Sequence, residues 1–129
     1  DDVKETFKKV SLFMNKGGAF AFDVNTIHKH KNILADNAFV FEPEGVFCAW
    51  QNNYNSDDNS VDISIDFFEE EDGEYYRSSE SFTEKAYELG DIKAWLEEAG
   101  FEVVGIYDDM TTENVKPDSE RAVFLAKKK

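Results

Sequence analysis

The chain has 129 residues, 41% hydrophobic and 15% aromatic with twelve phenylalanines, so it is long enough and apolar enough for a folded core. Asp and Glu number 28 against 14 Lys and Arg, a net charge of −14. That balance excludes direct binding to nucleic acid or to an anionic membrane, both of which need a positive footprint, and fits a solvated acidic surface.

The elements are predicted in chain order. Residues Asp2 to Asn15 read as an amphipathic helix, with Val3, Phe7, Val10 and Met14 on one face. Gly17-Gly18 stops it, since glycine tolerates the left-handed conformation of a helix end. Ala19-Phe20-Ala21-Phe22 follows as a short buried strand before the polar Asp23-Val24-Asn25-Thr26. Thr26 to Asn37 is polar and lysine-rich, expected as a short helix or an irregular exposed stretch, with His28 and His30 solvated. Strands are then expected at Ala38 to Phe41, ended by Pro43 and Gly45, and at Val46 to Tyr54. Cys48 lies in the apolar run Val46-Phe47-Cys48-Ala49-Trp50 and reads as a buried small residue rather than a catalytic thiol. As the only cysteine it permits no intrachain disulfide, which fits a reducing cytoplasm.

After the turn formers Asn55 to Asn59, Ser60 to Phe68 alternates, with Val61, Ile63, Ile65 and Phe67 opposite Asp62, Ser64 and Asp66. Asp72-Gly73 signals a hairpin, and Tyr75 to Phe82 returns with Tyr76, Ser78, Glu80 and Phe82 on one side. The middle of the chain is therefore predicted to be an antiparallel meander with one apolar and one wet face. Leu89 to Ala99 reads as a second amphipathic helix, buried through Leu89, Ile92, Leu96 and Ala99 and ended by Gly100. Strands are expected at Phe101 to Tyr107 and Ser119 to Ala126, separated by a loop containing Pro117 and followed by a solvated tail, Lys127 to Lys129. No signal peptide and no stretch fit to span a bilayer is legible. The chain opens at Asp1-Asp2-Val3 without methionine, and its first residues already read as helix, so it is expected to begin in mid-structure.

Three segments carry a family resemblance. Met14-Asn15-Lys16-Gly17-Gly18-Ala19-Phe20-Ala21-Phe22-Asp23 resembles the turn of class I S-adenosylmethionine-dependent methyltransferases that leads into the fifth strand of their sheet. Leu96-Glu97-Glu98-Ala99-Gly100-Phe101-Glu102-Val103 is similar to the segment that joins the last helix to the sixth strand, and Val123-Phe124-Leu125-Ala126-Lys127 to the seventh strand. Glu88 stands where the family often has a serine or threonine helix cap. The resemblance implies an α/β fold (α+β as a fragment): strands five, six and seven of a Rossmann-like sheet with two flanking helices. Residues 1–26 and 86–129 would form this partial core. Residues 27–85 would be an inserted antiparallel β region that covers the substrate.

The resemblance also implies an absence. The family's glycine-rich cofactor turn, which follows a strand and opens a helix, has no counterpart here; Gly17-Gly18 stands between a helix and a strand, the reverse order. S-adenosylmethionine is therefore expected in the intact parent and not in this piece, which is expected to be inactive alone. The catalytic residues are not identified. The acceptor would be a small molecule.

Six substrate-side candidates follow. Asn25 and Thr26 lie beyond a strand's carboxyl end, where open α/β sheets bind ligands, although a turn and helix cap is the stronger account of them. Trp50, Asn52 and Tyr54 share a strand face and either line a pocket or divide into a core tryptophan and two exposed residues. Arg77 is the one arginine of the inserted region, available to an anionic group or to a surface ion pair. No metal site is expected: His28 and His30 lack further ligands, and Glu69 to Asp72 lacks the spacing of a calcium loop. If the first four strands of the sheet are missing, strand 19–22 exposes an edge, and a homodimer through that edge is expected. The alternative function is a non-enzymatic acidic α+β binding or assembly module.

Overall fold

The computed structural model describes residues 2–129, so the reading of Asp1 lies outside it. The elements run α1 (Asp2–Phe13), β1 (Ala19–Asn25), a π-helical turn (Lys29–Leu34), β2 (Ala38–Phe41), β3 (Val46–Asn55), β4 (Ser60–Glu71), β5 (Glu74–Lys85), α2 (Leu89–Glu98), β6 (Phe101–Asp108) and β7 (Arg121–Lys128). They form two compact units, one comprising the chain up to Lys29 together with Tyr87–Lys129, the other His30–Ala86.

In the first unit, β7 is the central strand of a three-stranded sheet in the order β1-β7-β6. Both neighbours run antiparallel to β7, so β1 and β6 are parallel to each other. Alternation then sorts the side chains. Ala122, Phe124 and Ala126 of β7 are fully buried with Phe101 of β6, Phe7 of α1, and Ile92 and Leu96 of α2. Phe20, Phe22 and Val24 of β1 pack on them, as do Val3, Val10 and Met14 of the predicted α1 face. Phe22 stacks on Phe124 with ring centres 5.2 Å apart, in register across the strands. Each large buried side chain contributes about 1.5–3 kcal/mol, so this cluster holds the unit together. The glycine stops act as expected. Gly17 (φ 82°) and Gly100 (φ 95°) adopt the left-handed region, and the Gly17 N–H donates to the Lys128 carbonyl at 2.8 Å. Glu88 caps α2 without a side-chain bond; its carbonyl accepts from the N–H groups of Asp91 and Ile92.

One expectation fails here. Lys127 and Lys128 are not a solvated tail but the end of β7, paired with Ala19 and Phe101. The Lys128 ammonium lies 5.9 Å over the Phe101 ring and donates to the buried Ser11 hydroxyl. A long aliphatic stem lets a lysine cover apolar surface while its head finds a polar partner.

The second unit is a four-stranded antiparallel meander in the order β2-β3-β4-β5. Asp72 (φ 54°) and Gly73 (φ 80°) both take positive φ between β4 and β5, the geometry of a tight hairpin turn. Leu34, Val61 and Ile63 form a small buried cluster, flanked by Trp50, Tyr54 and Ile65. Two expectations need correction. The opposite face is not uniformly wet, because β4 carries Phe67 and Phe68 in succession and so places an aromatic ring on each side. Of the two readings of the segment after Thr26, the short helix holds and the exposed stretch, with a solvated His30, does not. The segment winds into the π-helical turn, closed by the Ala35 N–H on the His30 carbonyl at 2.7 Å, and buries His30 and Leu34.

Candidate functional site

In the first unit, Thr26, Ile27 and His28 continue from the carboxyl end of β1. With Tyr87, the start of α2, and Lys116, Pro117 and Ser119 they line a recess of about 260 Å³. Thr26 is buried and holds this corner together. Its hydroxyl donates to the Ser119 carbonyl at 2.6 Å and accepts the Lys29 N–H at 3.1 Å, while its own N–H donates to the Glu120 carbonyl. The hydroxyl–Lys29 bond, three residues on, is that of a cap, so the turn reading of Thr26 holds in full. Asn25 is the last residue of β1, opposite Arg121, whose guanidinium pairs with Asp23 at 3.0 Å. At the rim, the Glu113 carboxylate bonds to Lys116 at 3.2 Å and raises the lysine pKa above its usual value, with the charges of Glu113, Asp108 and Asp118 acting in the same direction.

In the second unit, Trp50, Asn52 and Tyr54 do share one face of β3, over the Leu34–Val61–Ile63 cluster. Trp50 Nε1 donates to Asn52 Oδ1, and Asn52 Nδ2 donates to the Leu34 carbonyl at 3.4 Å. The Tyr54 hydroxyl donates to Asn59 Oδ1 at 2.6 Å. Asn52 is buried, so the reading of it as an exposed strand residue is overturned. His30 was also misread as solvated. It is 1% exposed, its Nδ1 lies 2.9 Å from the Asn59 carbonyl and its Nε2 4.0 Å from Glu84. Sequence reasoning missed the polar cluster of His30, Tyr54, Asn59 and Glu84; its one local signal is Asn59 in a turn, where it takes φ 57°.

Arg77 stands on the other face of the meander. Its guanidinium lies 3.0 Å from Asp66 and 5.9 Å above the Phe68 ring, so the surface ion-pair reading describes it. Asp66 is held below the usual carboxylate range by the Ser79 hydroxyl and then by Arg77. Cys48 is buried in β3. Among the described residues, no group of three or more His, Cys, Asp or Glu side chains is placed to hold a metal, and no helix is long and apolar enough to cross a membrane.

The glycine geometry bears on the cofactor. A Cβ on Gly18 would sit 3.0 Å from the Asn15 carbonyl, and the Gly17 and Gly18 N–H groups are both bonded to backbone carbonyls, so this turn packs helix against strand and presents no donors to a ligand. Gly90 alone stands near a strand-to-helix junction, inside α2. Among the described residues, no glycine-rich turn follows a strand and opens a helix.

No protein-family model matches the chain. Whole-length relatives do. A Geobacillus sp. (strain WCH70) protein named "Putative methyltransferase" is 34% identical over 98% of this chain and 52% of its own length. The Bacillus subtilis (strain 168) protein named "Putative methyltransferase YqeM" is 29% identical over 99% of this chain and 52% of its own. An S-adenosylmethionine-dependent methyltransferase of Clostridium acetobutylicum ATCC 824, known as a crystal structure, superposes with a TM-score of 0.88 at 32% identity, over 99% of this chain and 51% of that one. Over nearly its whole length the chain is similar in sequence and fold to about half of each of these proteins. It spans about half the length of the curated relatives it matches. Within the methyltransferase fold, β1, β7 and β6 are the late sheet strands, and the antiparallel pairing of β6 with β7 is the expected terminal hairpin.

Proposed function

We propose that the whole protein is a cytoplasmic S-adenosylmethionine-dependent methyltransferase acting on a small-molecule acceptor, and that this chain supplies its acceptor side and not its cofactor cradle. The observation that carries the reading is the match to one half, and only one half, of relatives twice its length. In this reading residues 27–85 are the inserted substrate cover. The acceptor-side candidates are Asn25 in the first unit and, taken separately, Trp50 and Tyr54 in the second; Thr26 and Asn52 are buried, and Arg77 on the other face of the meander is bonded to Asp66. Rates in such transfers come largely from holding the acceptor in line and excluding water. These side chains act by orienting the acceptor; the packed Thr26 and Asn52 set the backbone on which the others stand.

Calorimetry tests the division of labour. This chain titrated with S-adenosylmethionine is expected to give no binding heat, whereas the protein encoded with the sequence upstream of Asp1 binds it and methylates an acceptor. Tight stoichiometric binding by this chain alone would overturn the reading. An upstream sequence without a strand, a glycine-rich turn and a helix in frame would favour the non-enzymatic binding module instead.

The exposed edge of β1 supports a second proposal, self-association of the isolated chain. Among the described residues β1 pairs only with β7, and its Ala19 and Ala21 are exposed. An unpaired strand edge is a template for another strand. Sedimentation should show a dimer that Ala21→Pro abolishes; a monomer at millimolar concentration would refute it.

A further inference from the structure

The polar-patterned face of the meander carries an aromatic recess that the methyl-transfer reading does not use. Phe47 of β3 and Phe68 of β4 are register partners with ring centres 6.0 Å apart and planes inclined at 59°. Tyr75 lies on the same face of β5, two residues from Arg77, the cross-strand partner of Phe68. These three rings and Glu42, just beyond β2, line a recess of about 450 Å³. Phe47 and Tyr75 remain 37% and 63% exposed, although neighbouring positions on this face are Asp62, Ser64 and Asp66.

One feature points to the charge of an occupant. The Arg77 guanidinium, 5.9 Å from the Phe68 ring, has its charge matched by Asp66 at 3.0 Å. The recess has a carboxylate at its rim and no cationic side chain among its lining residues, in a chain of net charge −14. Aromatic faces carry negative quadrupolar charge and attract cations, most of all alkylated ammonium groups that are weakly hydrated and fill an apolar space. A neutral apolar ligand would gain nothing from Glu42.

We propose that Phe47, Phe68 and Tyr75 form an aromatic cage for an alkylated ammonium group, with the Glu42 carboxylate facing its charge. The site lies within the second unit and is independent of whether the whole protein transfers methyl groups.

The test is an NMR titration of the chain with choline and, separately, with its neutral isostere 3,3-dimethyl-1-butanol. Choline should shift the ring protons of Phe47, Phe68 and Tyr75 saturably and bind roughly 3- to 30-fold tighter than the isostere, the range expected for cation–π recognition. Tyr75→Leu and Phe47→Leu keep apolar bulk and should erase that preference. Glu42→Gln should weaken choline and leave the isostere unchanged. Amide shifts of Val61 and Ile63, in the buried cluster, report that each variant is folded. Equal affinity for the two probes, shifts confined to other residues, or no saturable shift would each overturn the proposal.

Discussion

The Thr26 hydroxyl donates a 2.6 Å hydrogen bond to the Ser119 carbonyl, joining residues 93 positions apart at a buried corner of the first unit. One side chain thereby ends β1, caps the turn that follows and anchors the approach to β7.

Thr26→Val removes that donor and leaves a buried carbonyl without it, which should lower stability by about 1–3 kcal/mol. Thr26→Ser retains the hydroxyl and should recover most of the loss. The chain has two tryptophans, Trp50 and Trp95. A Trp50→Phe background lets Trp95, in the first unit, report the denaturation midpoint. An unchanged midpoint in the valine variant would show that this bond is dispensable.

Phe124 is fully buried and lies flat against Phe22 at an interplanar angle of 4°. Phe124→Ala should cost about 3–5 kcal/mol through lost burial and the cavity left behind, whereas Phe124→Leu should cost distinctly less. Thermal unfolding of both variants gives the ratio. A similar loss in each would mean that ring stacking, rather than filled volume, sets the stability of this core.

His30 faces the Asn59 carbonyl through Nδ1. A carbonyl only accepts, so Nδ1 must carry the hydrogen and neutral His30 is the Nδ1–H tautomer. Long-range nitrogen–proton NMR correlation distinguishes the tautomers directly. The same carbonyl accepts the Ala86 N–H at 3.2 Å, so His30→Ala should speed amide exchange at Ala86. Protection at Ala86 equal to that of the parent chain would separate the histidine from the closure of this unit.

Asp66 offers a titration test. The Ser79 hydroxyl, and next the Arg77 guanidinium, favour its ionised form and hold its pKa below the ordinary carboxylate value. A depressed folded pKa means that the stability it brings is present above the unfolded pKa and is lost as pH falls through the folded one. Carboxyl NMR titration should place Asp66 below the ordinary carboxylate value, with Ser79→Ala raising it more than Arg77→Ala. The reverse order would give the ion pair, not the hydroxyl, the larger part.

Local pattern was enough for most elements of this chain. Helical spacing of Val3, Phe7 and Val10, period-two alternation through Val61, Ile63 and Ile65, and glycine at positions that need positive φ are properties of neighbouring residues, and they give the strands, helices and stops found. The fold class followed from the resemblance of three short segments, Met14 to Asp23, Leu96 to Val103 and Val123 to Lys127, to a known family. What a linear reading could not place was the partner of each polar group. His30 and Asn52 are polar in sequence but buried in the fold, because Asn59 and the Leu34 carbonyl reach them through strand pairing. Lys128 has the composition of a tail, yet strand register sets it over Phe101 and beside Ser11. The aromatic recess arises in the same way, from one ring in each of three strands brought side by side. Sequence determined where this chain bends and which faces are apolar, since those depend on residues a few positions apart. Tertiary structure alone decided which buried polar groups are satisfied and where a ligand could lodge, since those depend on contacts between distant residues.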